Sequence, residues 1–346
     1  MRFGLIGSGS WATALAKILT DNKQPIYWLI RSEETIKHLQ HRHHNPHYLS
    51  SVYFDTSLLH LTNDIHEVIA NSDCIVVAVP SAYIVDTFAN LQNGSLSGKR
   101  IVSAIKGILP QNNQLLNEYL EAVLNVPVDH YHTIMGPCHA EEVAAEKLSY
   151  LTFSGTDITH TQLIASCFAT EYLNTIINND VIGVQYAAIL KNIYALGAGI
   201  AHGLEYGDNF LSVLIANCAD EMAAFLRKVG IAHIEVGVHE EDSDPKTHKK
   251  SPNYAASVYL GDLLVTCYSL YSRNRTFGNM IGKGYSVKSA QLEMNMVAEG
   301  FNACKCIYLI NKTVGADMPI ADTLYQILWQ NVKPRDGFNQ IEQILV

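Results

Sequence analysis

The first nineteen residues constrain the fold more than any other part of the chain. Phe3–Ile6 is a short apolar run typical of a buried strand, and the stretch that follows it fits the pattern G-x-G-x-x-A. Leu15, Ile18 and Leu19 then recur at helical spacing. A strand, a glycine-rich turn and a helix in this order are the context in which the pattern indicates a dinucleotide site. The opening therefore predicts an α/β domain that binds a dinucleotide.

Each small residue of this turn has a physical reason to be there. Gly7 permits a tight turn, Gly9 lets a pyrophosphate approach the backbone, and Ala12 lets the helix pack closely on the strand. The first turn of the helix supplies N–H groups and a partial positive charge for the phosphates.

The residue after the second expected strand bears on the choice of cofactor. That strand spans residues 26–30 and is followed by Arg31, where a site that prefers NAD has an acidic residue for the ribose 2′-hydroxyl. An arginine suits a 2′-phosphate instead, so the sequence favours NADPH over NADH. A solvated arginine is the alternative, and the neighbouring Glu33 and Glu34 weaken the signal.

The pattern along the chain predicts two domains. Further apolar runs begin at Cys74, Arg100 and Tyr131, with helical segments between them. Alternation of this kind over about 180 residues predicts a doubly wound, mainly parallel α/β sheet, whose ligands bind at the carboxyl ends of the strands. Helical segments predominate afterwards. The sequence therefore predicts a dinucleotide-binding Rossmann domain over residues 1–182 and an all-α substrate domain over residues 183–346.

Two polar residues stand out in the helical half. Lys191 and Asn192 lie in the middle of residues 185–203, a segment that is apolar almost all round. With no carboxylate within one helical turn, the lysine must either extend to solvent or face a polar cavity. In the second case it is a candidate general acid or base, and the sequence alone leaves both possibilities open.

A second polar group follows in residues 261–278. Asp262 and Thr266 are four residues apart, so they share one face of a helix. Beyond them, hydrogen-bond donors cluster in four consecutive residues, Ser272, Arg273, Asn274 and Arg275. Arginine with asparagine presents the forked donors that a phosphate or carboxylate accepts. An exposed basic turn is the alternative, but the apolar stretch before the cluster favours a cleft.

Composition excludes several classes of protein. The net charge is −9, from 24 Lys and Arg against 33 Asp and Glu, which argues against a nucleic-acid binder and a polybasic membrane-surface protein. No apolar run reaches the roughly 18 residues that a membrane helix needs. Charged residues are 16% and hydrophobic residues 48%, which favours well-buried cores. The charged segment 239–250 is expected to be a surface excursion.

Cysteines and histidines give no support for a metal site. The seven cysteines include no CxxC pair, so reduced, mostly buried thiols in a cytoplasmic protein are expected. Nor does the chain begin with a recognisable signal peptide. Five histidines fall within residues 38–47, where a solvated loop is favoured over a zinc site because no further ligand has a supporting spacing.

Together these motifs resemble the bacterial type of NAD(P)-dependent glycerol-3-phosphate dehydrogenase over nearly the whole chain. The segments that carry the resemblance are GSGSWATALA at 7–16, IKGI at 105–108, GPCHAEEV at 136–143, LKNIYALGAGIAHGLEYGDN at 190–209, GDLLVTCYSLYSRNRTFG at 261–278 and MVAEG at 296–300. The resemblance implies reversible hydride transfer between NAD(P)H and dihydroxyacetone phosphate or sn-glycerol 3-phosphate. It further implies a cytoplasmic homodimer that supplies glycerol 3-phosphate for phospholipid synthesis.

The resemblance also implies roles for individual residues. Lys191 would be the catalytic acid/base, and Asp262 would orient it. The implied substrate-binding residues are Lys106, Gly136, Cys138, Lys191, Asn192, Asp262, Thr266, Ser272, Arg273 and Asn274. The implied cofactor-binding residues are Gly7, Gly9, Ser10, Trp11, Arg31, Lys106, Ala140, Arg273, Val297 and Glu299.

One position departs from the family pattern. Cys138 stands where a hydroxyl residue is usual, and a thiol is a weaker hydrogen-bond donor.

Two alternative functions remain open. A 3-hydroxyacid or 6-phosphogluconate-type dehydrogenase also joins a Rossmann domain to a helical domain with a catalytic lysine, but the S-R-N-R cluster argues against it. A non-catalytic NAD(P)-binding sensor is a further alternative.

The chain has a net charge of −9, yet both expected ligands, NADPH and a triose phosphate, are polyanions. They can bind only if the basic residues are concentrated at the site. We expect Arg31, Lys106, Lys191, Arg273 and Arg275 to surround one cleft, giving a positive pocket in a negative protein.

Overall fold

The chain forms two compact units, Met1–Val181 and Ile182–Val346. The structure, a computed structural model, describes residues 1–231, 256–294 and 298–346. The charged segment 239–250 and the expected cofactor residue Val297 lie outside the described residues. The functional division expected at residue 182 stays a prediction.

The first unit contains one eight-stranded sheet flanked by helices. Its strands are β1 Phe3–Ile6, β2 Ile26–Leu29, β3 Leu59–Thr62, β4 Cys74–Val77, β5 Arg100–Ser103, β6 Tyr131–Met135, β7 Ser149–Gly155 and β8 Leu173–Asn178. Its helices are α1 Ser10–Asp21, α2 Glu33–Arg42, α3 Ile65–Asn71, α4 Ile84–Phe88, α5 Leu116–Leu124, α6 Ala140–Ala144 and α7 Ile158–Ser166.

The strand order defines where a ligand should bind. The order is β3-β2-β1-β4-β5-β6-β7-β8, with β1 to β6 parallel, β7 antiparallel to β6 and β8 parallel to β7. The direction of winding reverses between β1 and β4, and ligands of such sheets bind at the carboxyl ends of the strands at this switch point. The predicted fold class, a doubly wound and mainly parallel sheet followed by a helical region, is confirmed.

Continuous apolar runs form the central strands because both faces of the sheet are covered. Leu5 and Val76 belong to the core on one face, and their sequence neighbours Ile6 and Val77 belong to the core on the other. All four side chains are fully buried.

Helix is the only regular secondary structure in the described residues of the second unit. Its helices are α8 Val181–Gly203, α9 Asp208–Lys228, α10 Asp262–Tyr268, α11 Arg273–Gly282, α12 Val287–Glu293, α13 Glu299–Val314, α14 Pro319–Trp329 and α15 Pro334–Ile344. A π-helical turn, Ala256–Gly261, leads directly into α10.

Helices α8 and α11 pack with their backbones in contact. A Cβ atom added to Gly199 would lie 2.1 Å from the Arg275 carbonyl oxygen, and one added to Gly278 would lie 2.1 Å from the Leu196 carbonyl oxygen. Both distances are far below van der Waals contact, so only glycine fits at either position. The contact sets the start of α11 against the helix that carries Lys191.

A buried carboxylate joins three helices of this unit. Glu221 of α9 accepts a hydrogen bond from the Tyr194 hydroxyl of α8, at 3.1 Å. It also accepts the backbone N–H groups of Ile320 and Ala321, at 2.8 and 2.9 Å, in the first turn of α14. These N–H groups have no partner within their own helix, so the carboxylate satisfies them.

Helices α8 and α9 are long and apolar enough to cross a membrane by length and composition alone. A count of uninterrupted apolar residues finds neither helix, because both contain polar residues, and the absence of a membrane span stays a prediction. In the structure, 94% of the apolar window of α8 is buried inside the protein, as expected of a core helix.

His132 gives the first unit a pH-dependent stability. Its Nδ1 lies 3.0 Å from the Thr161 hydroxyl, which itself donates to the Asp157 carbonyl oxygen at 2.7 Å. Nδ1 is therefore the protonated nitrogen, and the buried Nε2 has no hydrogen-bond partner among the described residues. Burial, with a smaller contribution from the Arg100 cation, lowers the pKa of His132 to about 4.

We expect stability to fall as the pH drops from 6.5 towards 4, since the unfolded chain binds the proton more readily than the folded one. The contribution of neutral His132 is complete above pH 6.5, and about 3 kcal/mol of it is lost near pH 4. Urea unfolding of the wild type and His132→Asn across this range measures the loss. Equal pH slopes in the two proteins would contradict the assignment.

Candidate active site

The glycine turn lies at the switch point of the sheet. Gly7 has φ +124°, and a Cβ atom added to it would lie 2.4 Å from the carbonyl oxygen of Ala78, just beyond β4. Any side chain here would be strained in conformation and would also collide with the neighbouring strand end. The tight turn predicted at Gly7 is therefore present, and it lies against the residue that follows β4.

The face of the turn beyond Gly9 has room for a phosphate group. A Cβ atom added to Gly9 would meet nothing within 4 Å, so the backbone is accessible there. Gly9 also caps α1, whose first N–H groups suit an anion. Nearby, the Trp11 indole N–H is buried without a hydrogen-bond partner among the described residues. These features fit a dinucleotide.

Arg31 is exposed and lies two residues after the end of β2. Ser32 caps α2 by accepting the Thr35 N–H at 3.2 Å, so the turn that carries Arg31 is fixed at its next residue. The acidic Glu33 and Glu34 occupy the first turn of α2, where they complement the helix dipole. The two glutamates are therefore accounted for by the stability of α2, and they do not weaken the case that Arg31 suits a 2′-phosphate.

Lys106 contacts the start of α1 and the loop after β6 at the carboxyl edge of the sheet. Its Nζ donates to the Gly136 carbonyl oxygen at 2.9 Å and lies 5.7 Å from the centre of the Trp11 ring. Trp11 follows β1, Lys106 follows β5 and Gly136 follows β6, so sequence-distant residues meet where the fold predicts a ligand. Cys138 is buried just beyond, and Ala140 begins α6.

In the second unit, Lys191 and Asp262 form a buried ion pair. Lys191 Nζ donates to Asp262 Oδ1 at 2.5 Å and to the Thr266 hydroxyl at 3.1 Å. Lys191 is 3% exposed and Asp262 1% exposed. The first of the two possibilities for this lysine, extension to solvent, is therefore wrong. Asp262 begins α10 after the π-helical turn, and one helical turn separates it from Thr266, so both meet the same ammonium group.

The donor cluster begins α11. The buried Ser272 caps the helix by accepting the Arg275 N–H at 3.2 Å, which places the half-buried Arg273 at its first position. Asn274 is tied to protein groups on both sides of its amide. Its Nδ2 donates to Asn192 Oδ1, and its Oδ1 accepts the Gly300 N–H, each at 2.9 Å.

Three expected ligand-binding segments therefore meet at Asn274. Asn192 follows the buried lysine, Arg273 precedes Asn274, and Gly300 follows the expected cofactor residue Glu299, the first residue of α13. A Cβ atom added to Gly300 would lie 2.4 Å from the Asn192 carbonyl oxygen, so α13 begins in close contact with α8.

Family models of the N-terminus and the C-terminus of NAD-dependent glycerol-3-phosphate dehydrogenase match residues 2–161 and 180–339. The chain belongs to this family. The predicted family is thus confirmed, and the two models cover most of both units.

Curated members of the family are similar over nearly their whole length. Glycerol-3-phosphate dehydrogenase (NAD(P)+) of Chlorobium phaeobacteroides is 32% identical over 96% of this chain and 94% of its own. The enzyme of that name from Lysinibacillus sphaericus is 33% identical, over 96% and 93%.

Solved structures show the same fold. The crystal structure of glycerol-3-phosphate dehydrogenase from Coxiella burnetii has a TM-score of 0.85 at 24% identity and covers 98% of both chains. The Saccharomyces cerevisiae enzyme has a TM-score of 0.79 at 23% identity and covers 99% of both.

The family residues fall into two groups, one in each unit. Trp11, Lys106 and Gly136 meet in the first unit, and the residues around Lys191 and Asn274 meet in the second. Arg31 and Lys106 belong to the first unit and the other three expected cations to the second, so their convergence on one cleft stays a prediction.

The histidine-rich segment is only partly the loop that the sequence favoured, because its first part is helical and residues 43–47 follow the helix without regular structure. His38 and His41 belong to α2, because the Ser32 cap and the buried Leu39 extend the helix as far as Arg42. The rings of His38 and His44 pack edge to face, and His43 stacks on Tyr53. Among the described residues, no group of three His, Cys, Asp or Glu side chains could hold a metal ion. All seven cysteines are free, and six of them are buried.

Sequence reasoning missed Asn45 and Trp28, two buried side chains that bond to the glycine turn. In the sequence, only the polar group that each side chain carries could have indicated this role, because the fold alone brings the two segments to the turn.

Proposed function

We propose that this chain catalyses reversible hydride transfer between NAD(P)H and dihydroxyacetone phosphate, which yields sn-glycerol 3-phosphate. The observation that carries the proposal is the buried Lys191–Asp262 pair, in the helical unit of a chain that belongs to the glycerol-3-phosphate dehydrogenase family. The bound nicotinamide supplies or accepts the hydride.

Lys191 acts on the oxygen at C2 of the substrate. In reduction, its ammonium group stabilises the negative charge that develops on the carbonyl oxygen and donates a proton to it. In oxidation, the neutral amine removes the hydroxyl proton. Asp262 and Thr266 hold Nζ from two directions, so the lysine keeps one orientation in both directions of reaction. Acid/base help from a positioned group contributes roughly 10²–10⁴-fold.

Arg273 and Ser272 are proposed to bind the substrate phosphate at the start of α11. The arginine supplies a forked donor, and the helix N-terminus favours an anion. The protein bonds of Asn274 suit it to positioning this helix end, in addition to the direct substrate contact that the resemblance implies. Binding the phosphate remote from C2 fixes the reacting carbon in place. Gly136 and Cys138 are proposed to complete the substrate contacts.

The cofactor is proposed to bind the first unit. Gly7, Gly9 and Ser10 would cradle the pyrophosphate, Trp11 and Lys106 would lie near the nicotinamide end, and Arg31 would contact the 2′-phosphate of NADPH. Ala140, Arg273, Val297 and Glu299 remain proposed cofactor contacts.

The two parts of the chain are proposed to have separate roles, with residues 1–182 binding the cofactor and residues 183–346 providing substrate binding and catalysis. We further propose a cytoplasmic homodimer that serves phospholipid synthesis.

The proposal is tested by following NADPH and NADH absorbance with dihydroxyacetone phosphate, 6-phosphogluconate and a 3-oxo acid as substrates. We expect oxidation of the nicotinamide only with dihydroxyacetone phosphate, and a higher kcat/KM with NADPH because Arg31 replaces the acidic residue of NAD-preferring sites. Turnover of either other substrate would favour the related dehydrogenases. Cofactor binding without turnover of any substrate would favour a sensor.

A further inference from the structure

We infer that Asn45, together with Thr13 and Trp28, orients the glycine turn so that its backbone N–H groups face the cofactor pyrophosphate. Asn45 is thus a positioning residue for the dinucleotide, supplied by the histidine-rich segment to which the proposed reaction gives no role. The inference rests on the proposed function, because it presupposes that a dinucleotide binds this turn.

The Asn45 amide is fully buried and bonded on both sides. Its Nδ2 donates to the Ser8 carbonyl oxygen at 3.3 Å and to the Thr13 hydroxyl at 2.9 Å. Its Oδ1 accepts the N–H groups of His47 and Tyr48, at 3.0 and 3.3 Å. One half of the amide therefore holds its own loop, and the other half holds the glycine turn.

Three successive carbonyl groups of the turn accept side-chain donors. Trp28 Nε1 donates to Gly7 O at 2.6 Å. Asn45 Nδ2 donates to Ser8 O, and the Thr13 hydroxyl donates to Gly9 O at 2.9 Å. Because the Thr13 hydroxyl also accepts from Asn45, the donors at Ser8 and Gly9 form one connected chain.

Fixing these carbonyl groups also fixes the N–H groups that follow them. In a planar trans peptide the C=O and the next N–H point in opposite directions. Donors on the carbonyl oxygens of Gly7, Ser8 and Gly9 therefore turn the N–H groups of the next three residues away from those donors. The open space at the Gly9 α-carbon gives an anion access to this stretch of backbone.

Preorganised N–H groups bind an anion without the cost of reorienting the peptide planes. Loss of the Asn45 donor should release the Ser8 carbonyl and lower the affinity for ligands that contain the pyrophosphate. It should spare ligands that contact only the Arg31 side of the site. This difference separates a positioning role from general support of the fold.

The test uses Asn45→Asp, which keeps the acceptor for the His47 and Tyr48 N–H groups but replaces the donor with a carboxylate oxygen. We expect the Kd for NADPH, followed by nicotinamide fluorescence, to rise about tenfold or more. The Kd for adenosine 2′-phosphate, which lacks the pyrophosphate, should change by less than about twofold, and so should the KM for dihydroxyacetone phosphate at saturating NADPH.

Asn22→Ala is the matched control, because the Asn22 amide donates to the Cys167 carbonyl at 3.0 Å in the same unit, at the other end of α1. It should leave the Kd for NADPH unchanged. If Asn45→Asp fails to fold, Asn45→Ala, which also removes the Nδ2 donor and adds no charge, carries the same expectation for NADPH and adenosine 2′-phosphate.

Each outcome decides the question. An unchanged Kd for NADPH in the variant that folds, or an equal rise for NADPH and adenosine 2′-phosphate, overturns the inference. If the wild-type protein binds no NADPH at all, the proposed function fails instead.

Discussion

Replacing Lys191 with methionine is expected to lower kcat about 10²–10⁴-fold, while the Kd for NADPH stays within about twofold. Methionine has similar length and no charge, so it fills the buried site and cannot donate or accept the proton at C2. The rate loss belongs to the chemical step, because Lys191 Nζ is held by Asp262 and Thr266 and makes its proposed contact with the reacting oxygen. Single-turnover kinetics at saturating substrate measure it.

Stability must be separated from catalysis in this experiment. Methionine leaves Asp262 buried without its cation, and breaking such a pair costs about 3–5 kcal/mol. The double variant Lys191→Met with Asp262→Asn removes the stranded charge, so it should regain stability without regaining turnover.

A second buried lysine supplies the matched control. Lys17 is 8% exposed and forms ion pairs with Asp21 and Glu146, at 2.6 and 2.9 Å. Lys17→Met therefore also removes a paired, mostly buried ammonium group, in a part of the chain without a proposed catalytic role. It should lower stability and leave kcat within about twofold. Turnover near the wild-type value in Lys191→Met would contradict the assignment of Lys191.

Local sequence patterns were enough to place the elements that carry the candidate site. Strand β1, the turn at Gly7 and the Lys191 helix follow from residues close together in sequence. Strands β3, β7 and β8 were not named from the sequence. β3 is half-exposed, and β8 is largely half-exposed, so neither forms the continuous apolar run that identifies a central strand.

Long-range partners could not be predicted in the same way. The Lys191–Asp262 pair joins residues 71 positions apart, and the Asn192–Asn274 bond joins residues 82 apart. Their residue types suggested polar chemistry, but only the helix packing determines that the side chains meet. Asn45 could not be predicted for the same reason, because its proposed role depends on the Ser8 carbonyl, which is 37 positions away in the sequence.

Gly278→Ala is expected to destabilise the second unit by about 3 kcal/mol, at the upper end of what an overpacked core costs. The sign of the change in the free energy of unfolding is informative. Alanine has a higher helix propensity than glycine and would stabilise an unconstrained helix by about 1 kcal/mol. In this structure the new methyl group would lie 2.1 Å from the Leu196 carbonyl oxygen, a backbone atom that cannot rotate away. Urea unfolding measures the change.

The same substitution in α8 provides the comparison. A Cβ atom added to Gly197 would lie 3.1 Å from Leu324 Cδ1, the end of a flexible side chain that can move aside. Gly197→Ala should therefore change stability by less than about 1 kcal/mol. Because α11 begins with Arg273, displacing it in Gly278→Ala should also raise the KM for dihydroxyacetone phosphate more than the Kd for NADPH. Stabilisation by Gly278→Ala, or equal effects of the two substitutions, would show that backbone contact between α8 and α11 does not set the position of the phosphate-binding end.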